Sequence, residues 1–192
     1  MADTQIKVSV KCCNLLFHGC DTEYVKNVCH GNCCKSSAKE YDITVAINKT
    51  EEEKIIDAGG IVVQGLLQRI NNLCPFQNED WLCAIHDSGY KPFGCTAAPF
   101  KLNKNGTLII WHRYYMLRCY GNGSPAYKVF RQSLDKIFGA AESERICSIL
   151  DSGTTQQFIA AKISKENYDI LCEYSNIESG KQVSNKFVEW FK

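Results

Sequence analysis

The sequence lacks a long apolar run, and it lacks an excess of charge of either sign. No stretch approaches the roughly 20 apolar residues that a membrane-spanning helix needs. Residues 1–5 carry neither the basic region nor the apolar region of a secretory signal. The formal net charge of +1 gives no electrostatic reason to expect nucleic acid or a membrane surface as a partner. We therefore expect a cytoplasmic protein without a membrane partner.

Internal repeats and low-complexity linkers are also absent from the 192 residues, which suits one domain, or one domain with an appended piece. The hydrophobic fraction is 45% and the charged fraction is 22%, as in an ordinary globular protein. A chain of this length can bury a sizeable core without cross-links.

Cysteine, by contrast, is abundant. The twelve cysteines are Cys12, Cys13, Cys20, Cys29, Cys33, Cys34, Cys74, Cys83, Cys95, Cys119, Cys147 and Cys172. Because no secretory signal is visible, we expect a reducing compartment, where clustered cysteines usually bind metal or take part in redox chemistry. Disulfides, and thiols that are merely buried, are the alternatives.

Two segments hold most of these cysteines. Residues 74–100 contain three of them among turn formers and few apolar residues, so this segment cannot bury much core of its own. A metal ion, an iron–sulfur cluster or disulfides would have to fix its shape. In residues 29–34, here called the knuckle, a glycine and an asparagine let the backbone turn back and aim sulfurs at one point. We expect both segments to close on each other around metal, and vicinal Cys33 and Cys34 could serve two neighbouring metals, or one metal and one structural contact.

The order of short motifs carries a family resemblance. The motifs are Cys74-Pro75-Phe76, Cys83-Ala84-Ile85-His86, Lys91-Pro92 with Cys95, and Pro99-Phe100. Together with the upstream knuckle and a downstream Cys119-x-Gly121-x-Gly123 element, this order resembles the YkgJ-type cysteine-cluster family. The resemblance spans residues 20–123 and implies a domain that chelates zinc or iron. The step from Cys20 to Cys29 is longer than in the family, and the tail from Pro125 onward has no match.

The crowding of the cysteines and the resemblance together predict a ligand set that converges in space. Its members are Cys20, Cys29, Cys33, Cys34, Cys74, Cys83, Cys95 and Cys119. Thiolates bind zinc in closed tetrahedral sites or hold a 4Fe–4S cluster. The spacing of the cysteines matches neither a bacterial ferredoxin nor a zinc ribbon, so it does not identify the metal. The set would make one site of four with extra ligands, or two sites.

Three functions follow from these alternatives. The first is a metal-binding protein whose zinc or iron–sulfur site is structural or a carrier, with room for a protein partner. The second is an iron–sulfur-dependent redox or transferase enzyme, and the third is a disulfide-stapled binding module. Some relatives of the family, the flagellin lysine-N-methylases, combine the cysteine domain with methyl transfer. The sequence contains no glycine-rich cofactor loop that would extend this activity to the chain.

Several other residues have a functional and a structural interpretation. His86 could be a ligand, although a supporting or packing role suits it better, and His30 could replace a thiolate. Cys147 and Cys172 lie in apolar helical surroundings and are expected to be core residues, whereas Cys12 and Cys13 fit either role. Residues 111–115, with Lys101, Lys104 and Arg118 nearby, could stack single-stranded nucleic acid. The nearly neutral charge favours a strand edge packed on the core instead.

The expected fold class is α+β. We predict a small irregular cysteine-rich metal-binding domain with short strands over residues 1–123, followed by a helical C-terminal extension over residues 124–192 that packs on it. Predicted strands cover residues 6–10, 42–47, 61–67, 108–111 and 158–163. One predicted helix follows Asp21, and another is capped by Thr50, with Glu53 completing a capping box. Two further helices are predicted over residues 125–138 and 140–150, and a last one follows Ser164.

Overall fold

A computed structural model describes residues 3–34, 45–71 and 73–178. It contains helices and short strands in mixed sheets, which confirms the α+β class. Residues 42–44 of one predicted strand lie outside the described residues.

The strands of the described chain are β1 (Asp3–Ser9), β2 (Leu16–Phe17), β3 (Val45–Ala46), β4 (Val62–Val63), β5 (Leu66–Leu67), β6 (Phe100–Leu102), β7 (Thr107–Ile110), β8 (Ser124–Pro125) and β9 (Phe158–Ser164). Its α-helices are α1 (Val10–Cys13), α2 (Thr22–Tyr24), α3 (Lys49–Asp57), α4 (Phe93–Ala97), α5 (Ala126–Val129), α6 (Arg131–Phe138), α7 (Ala140–Asp151) and α8 (Lys165–Glu178). A π-helical turn (Val25–Cys29) and two 3-10 turns (Asn32–Cys34 and His112–Met116) complete the set.

The largest sheet has the strand order β6-β7-β1-β9. β1 runs parallel to β7 and antiparallel to β9, in a register that pairs Asp3 with Ser164 and Ser9 with Phe158. β9 alternates between exposed and buried residues, as expected for a strand with one face on the core. The sheet therefore takes strands from both sides of residue 123, and the division into domains at that point stays a prediction.

Helices α6, α7 and α8 cover this sheet and complete the main hydrophobic core. The fully buried side chains at the centre include Val8, Leu108, Leu134, Ile146 and Leu171. Each buried aliphatic side chain of this size contributes about 1.5–3 kcal/mol relative to an exposed one. The main sheet and its helices thus have a stable core that contains none of the residues of the 74–85 loop.

A second, smaller core supports the first part of the 74–100 segment. It consists of five buried residues, Ile47, Ile55, Leu67, Phe76 and Ile85, under the small sheet β3-β5-β4 and helix α3. Cys74 and Cys83 are partly buried against it. A core of five side chains is small, which agrees with the expectation that this segment buries little of its own.

Helix α3 begins earlier than the sequence suggested. Its N-cap is Asn48, whose side chain accepts a hydrogen bond from the Thr50 backbone at 2.9 Å. The reciprocal capping-box contact comes from Glu51, not from Glu53. The prediction of Thr50 as the cap was wrong because Asn caps a helix as well as Thr does, and Asn48 lies three residues before an available glutamate.

The single helix predicted from Pro125 to Phe138 is two helices. Pro125 precedes α5 as its N-cap, and the chain leaves helical geometry at Phe130, with φ −106° and ψ 36°. The Phe130 ring packs edge-on against Phe17 at 5.2 Å and against Phe100 at 6.4 Å. Tertiary packing of one aromatic ring thus interrupts a helix whose apolar spacing is otherwise continuous.

The remaining element predictions are confirmed within a few residues. The strands at residues 6–10, 61–67, 108–111 and 158–163 are present, the second as a tight hairpin of β4 and β5. Asp21 caps α2 through a 2.8 Å bond from the Tyr24 backbone, and Ser164 accepts a 3.2 Å bond from Asn167 at the start of α8.

Candidate functional site

One large cavity, of about 980 Å³, lies between the knuckle and the 74–100 segment. The cysteines that line it are Cys20, Cys29, Cys33, Cys34, Cys74, Cys83, Cys95 and Cys119. These are the eight candidates from the sequence, and Cys12, Cys13, Cys147 and Cys172 are not among the lining residues. The fold therefore brings together four chain segments that the sequence separates by up to about a hundred residues.

Hydrogen bonds next to the cysteines join three of these segments on one side of the cavity. His18 lies two residues before Cys20, and its backbone N–H donates to the carbonyl of Cys119 at 2.8 Å. The Tyr24 hydroxyl donates to the carbonyl of Arg118 at 3.0 Å, and Arg118 Nη1 donates to the carbonyl of Val28 at 3.1 Å. These bonds join the backbone segments that carry Cys20, Cys29 and Cys119.

The opposite side of the cavity is a closed loop. The Gln77 backbone donates to the carbonyl of Cys74 at 3.0 Å, and Gln77 forms an isolated antiparallel bridge with Cys83. Helix α4 carries Cys95, and its first residue Phe93 donates its backbone N–H to Glu51 Oε1 at 2.7 Å. Cys74, Cys83 and Cys95 are thus fixed by the small core and by α3.

The knuckle lies between these two sides. Its turn is closed by a 2.8 Å bond from the Cys34 backbone to the carbonyl of Gly31. Gly31 has φ +58°, and a Cβ there would overlap the side chain of Gln77 and the carbonyl of Trp81, so glycine is needed for the close approach. Gln77 Nε2 also donates to the carbonyl of Gly31 at 3.3 Å. The knuckle is therefore packed directly against the 74–83 loop.

All twelve cysteines fall within the described residues, and all are free thiols. Within residues 3–34, 45–71 and 73–178, no three histidine, cysteine, aspartate or glutamate side chains stand close enough to hold one metal ion as they are placed. The eight thiols border the cavity without meeting at a point. The donor set itself suits zinc or an iron–sulfur cluster, since soft thiolates are the preferred ligands of both.

Burial, with smaller contributions from neighbouring thiols, raises the pKa of two cavity cysteines. Burial raises the pKa of Cys119 to about 12, and the thiols of Cys20, Cys29 and Cys33 add to the shift. Cys20 is exposed as a residue, yet loss of water around its thiol, with Cys33 and Cys29 nearby, raises its pKa to about 11. Without a cation in the cavity, these two groups are neutral thiols at neutral pH.

Cys33 behaves in the opposite way. A hydrogen bond from Cys34, whose Sγ is 3.9 Å away, lowers the pKa of Cys33 to about 7, and the positive charges of Arg113 and Lys91 act in the same direction. The pKa of Cys34 is raised, first by this hydrogen bond, then by burial and by the neighbouring thiol of Cys33, and also by Cys95 and Cys74. Cys33 is therefore the cavity thiol with the strongest thiolate character among those with a resolved shift.

Basic side chains form part of the cavity wall. Lys128 pairs with Asp151 at 2.8 Å, and Arg131 pairs with Asp135 at 2.8 Å. Lys91 Nζ donates to His86 Nδ1 at 3.1 Å, and both residues line the cavity. This bond occupies one ring nitrogen of His86. His30 is not among the lining residues.

The four cysteines outside the cavity, and residues 111–115, pack against other parts of the protein. Cys147 lies on the buried face of α7 with 5% exposure, and Cys13 is 1% exposed. Cys12 and Cys172 are half-buried against the main core.

The Trp111 ring has the Arg113 guanidinium at 3.5 Å and Lys101 Nζ at 4.9 Å, so protein groups already stack on it. This favours the packed strand edge over a nucleic-acid surface.

Two residues that shape the cavity were not recognised from the sequence. Gln77 reaches the knuckle from 46 positions away, and Tyr24 reaches the carbonyl of Arg118 from 94 positions away. No spacing rule connects residues at such separations, because the contacts exist only after the chain has folded.

The fold and the cavity define an α+β protein with a cysteine-lined pocket. No family model, no curated protein and no solved structure matches the chain. Among the helices of the described residues, none has the length and apolar character needed to cross a membrane.

Proposed function

We propose that this chain is a metal-binding protein that holds zinc or an iron–sulfur cluster through cysteine thiolates. The observation that supports the proposal most strongly is the sorting of the cysteines: eight line one cavity and four do not. Seven of the eight stand in motifs whose order is similar to that of the YkgJ-type cysteine-cluster family, and Cys20 is the eighth candidate from the sequence. The proposal includes a reducing, cytoplasmic location, where these thiols stay available for metal.

The small core under the 74–85 loop supports a structural role for the metal. Five buried side chains stabilise this region, whereas the main core is several times larger. A bound metal would link loops that otherwise rest on few apolar contacts, and its binding energy would become folding energy. In this proposal residues 20–123 contain an irregular cysteine-rich metal-binding unit, and a protein partner would recognise its ordered surface.

Metal and sulfide analysis of protein purified without oxygen tests the proposal. A colourless protein with zinc indicates the structural or carrier site, and a brown protein with iron and sulfide indicates the cluster. A protein without metal and without free thiols would instead be a disulfide-stapled module, and the proposal would be wrong.

Matched substitutions separate ligands from core thiols. Cys83→Ser and Cys95→Ser should lower the metal content, because a serine hydroxyl ionises poorly and binds these metals weakly. Cys147→Ser should leave metal content unchanged and cost about 1–3 kcal/mol of stability, because it buries a hydroxyl. Cys172→Ser provides a half-buried control outside the cavity. Equal metal content in all four variants and the parent would contradict the proposal.

A second candidate is an iron–sulfur-dependent redox or transferase enzyme. The observation that favours it is the size of the cavity, since about 980 Å³ exceeds the need of one metal centre and lies in the range of small-molecule sites. Reversible bleaching of a brown protein by dithionite would support this candidate, whereas a zinc protein without iron would exclude it.

A further inference from the structure

We propose that Cys33 and Cys34 form a reversible dithiol–disulfide site that exchanges with a low-molecular-weight disulfide entering the cavity. The site belongs to the metal-free protein and does not rest on the proposed function, because the exchange needs only these two sulfurs. The chain contains one other pair of consecutive cysteines, Cys12 and Cys13, and that pair should stay reduced.

The two sulfurs of the site already lie close together. The Sγ atoms of Cys33 and Cys34 are 3.9 Å apart and share a thiol–thiol hydrogen bond. Both residues are free thiols, so the structure shows the reduced form of the pair. A disulfide holds its sulfurs about 2.05 Å apart, and the remaining gap is within reach of side-chain rotation with a small backbone shift.

The adjacency of the two residues makes their disulfide a labile one. Consecutive Cα atoms joined by a trans peptide, as here, are about 3.8 Å apart, whereas the Cα atoms of ordinary disulfides are about 4.4–6.8 Å apart. A bond between Cys33 and Cys34 is therefore strained. Because strained disulfides are reduced more readily than structural ones, the expected chemistry is reversible exchange.

A small molecule can reach both thiols from the cavity. Cys33 and Cys34 are half-buried, and both line its wall. The cavity volume of about 980 Å³ lies in the range of small-molecule sites. Since exchange requires access of one sulfur to another, the pair is placed where a low-molecular-weight disulfide can meet it.

Hydrogen bonds hold the turn that carries the pair. The Cys34 backbone donates to the carbonyl of Gly31 at 2.8 Å, and Gln77 Nε2 donates to the same carbonyl at 3.3 Å. The turn is thus fixed on itself and on the 74–83 loop. A second sulfur held near the first makes the closing step intramolecular, which favours it over release of the bound small thiol.

The exchange takes place in two balanced steps. In the first, the thiolate of one cysteine attacks a sulfur of the small disulfide, whose S–S bond breaks, so that a mixed disulfide forms and one small thiolate leaves. In the second, the thiolate of the other cysteine attacks the protein sulfur of the mixed disulfide, and the second small thiolate leaves. Each cysteine gives its proton to solvent, and each small thiolate takes one up. The protein loses two electrons and two protons, and the small disulfide is reduced to two thiols.

The other consecutive pair provides a matched comparison inside the same chain. Cys12 and Cys13 end helix α1 and are not among the residues that line the cavity. Cys13 is 1% exposed, and the Cys12 backbone N–H donates to Ser9 Oγ at 3.3 Å. Burial keeps a small disulfide away from this pair. A difference between the two pairs therefore reports their placement in the fold, since the dipeptide is the same.

Oxidation of the reduced, chelator-treated full chain tests the proposal, with glutathione disulfide as the probe. The parent should lose two of its twelve thiols, and peptide mass spectrometry should place the new bond between Cys33 and Cys34. Trypsin leaves Cys29 on the same peptide, so fragment ions that separate Cys29 from Cys33 are needed to locate the bond. Excess reduced glutathione should restore all twelve thiols.

Two single variants check the second step. Cys33→Ser and Cys34→Ser each leave one thiol of the pair, which can form a mixed disulfide but cannot release it by closing the bond. Glutathione should therefore stay attached to the remaining cysteine, whereas the parent should not accumulate this species. Cys12→Ser is the control, and it should still form the bond between Cys33 and Cys34. The measurement on the parent does not depend on how the variants fold.

Several results would overturn the proposal. These are a Cys33–Cys34 pair that stays reduced, an equal reaction of the Cys12–Cys13 pair, and a bond from Cys33 or Cys34 to another cavity cysteine. A parent that stops at the mixed disulfide, or a bond that excess reduced glutathione does not break, overturns it as well. None of these results changes the metal content of protein purified without oxygen, so failure here and failure of the proposed function are distinguishable.

Discussion

The Sγ atoms of Cys33 and Cys34 lie 3.9 Å apart on one short 3-10 turn, and both border the same cavity. This pair joins two groups of cysteines that different parts of the fold support. On one side, Cys119 is bonded through its carbonyl to the segment of Cys20. On the other, Cys74 and Cys83 rest on a separate small core. The knuckle is thus the structural connection between the two halves of the candidate site.

Chelation should affect the structure unevenly. Removal of metal should raise amide hydrogen exchange in residues 20–34 and 74–95, because structural metal binding supplies folding energy on the order of 10 kcal/mol. β1, β7 and β9 should stay protected, since their core does not include the 74–85 loop. Hydrogen-exchange mass spectrometry with and without chelator measures both. A uniform rise in exchange, or none, would contradict this prediction.

Substitution of Gly123 should destabilise the protein more than substitution of Gly121. Both have φ near +90°, so alanine introduces backbone strain of roughly 1–2 kcal/mol at either position. A Cβ at Gly123 would also overlap the carbonyl of Phe17, whereas a Cβ at Gly121 would meet no atom of the described residues within 4 Å beyond its chain neighbours. Thermal unfolding of Gly123→Ala and Gly121→Ala should show the larger loss in the first. Equal losses would mean that the contact with Phe17 does not matter.

Glu51 should be more important than its neighbour Glu52. Glu51 accepts hydrogen bonds from the backbones of Asn48 at 3.4 Å and Phe93 at 2.7 Å, and so joins α3 to the helix that carries Cys95. Glu51→Ala should cost about 1.5–3 kcal/mol, the range for hydrogen bonds to a charged group.

Glu52→Ala is the matched control, because Glu52 shares the first turn of α3 and loses only the interaction with the helix dipole, below about 1 kcal/mol. Urea unfolding gives both values, and amide exchange at Phe93 should accelerate only in Glu51→Ala. Similar effects of the two substitutions would show that the bond to α4 contributes little.

Glu142 should make stability depend on pH. Hydrogen bonding to Arg145 holds the pKa of Glu142 below its ordinary value of 4.5, and its carboxylate also accepts the Lys162 backbone N–H at 2.7 Å. Because the folded pKa is depressed, this stabilisation is present above pH 4.5 and is lost as the pH falls through the folded value.

Glu142→Gln should therefore be less stable than the parent by about 1 kcal/mol near neutral pH, and the difference should shrink in acid. Urea unfolding of both proteins from neutral pH to about pH 3 measures the difference, in which acid effects common to both cancel. Glu53→Gln, at an exposed position on α3, is the control. A difference that does not change with pH would exclude this role for Glu142.

The sequence by itself determined the fold class, most elements and the set of cavity cysteines. The largely apolar stretch 158–163 predicted β9, Ser164 predicted the start of α8, and Gly139 predicted the end of α6. These signals are local, because caps, turns and periodicity depend on neighbours a few positions away. The separation of Cys147 from the cavity group likewise followed from its apolar helical neighbours.

Only the tertiary structure decided the break at Phe130 and the neighbours of each thiol. The Phe130 ring finds its partners in β2 and β6, more than twenty residues away along the chain. The grouping of Cys119 with Cys20 and Cys29 depends on bonds from Tyr24 and Arg118 that span about 90 positions. Sequence spacing cannot encode such contacts, since they form only when the main sheet has brought distant segments together and buried the groups that make them.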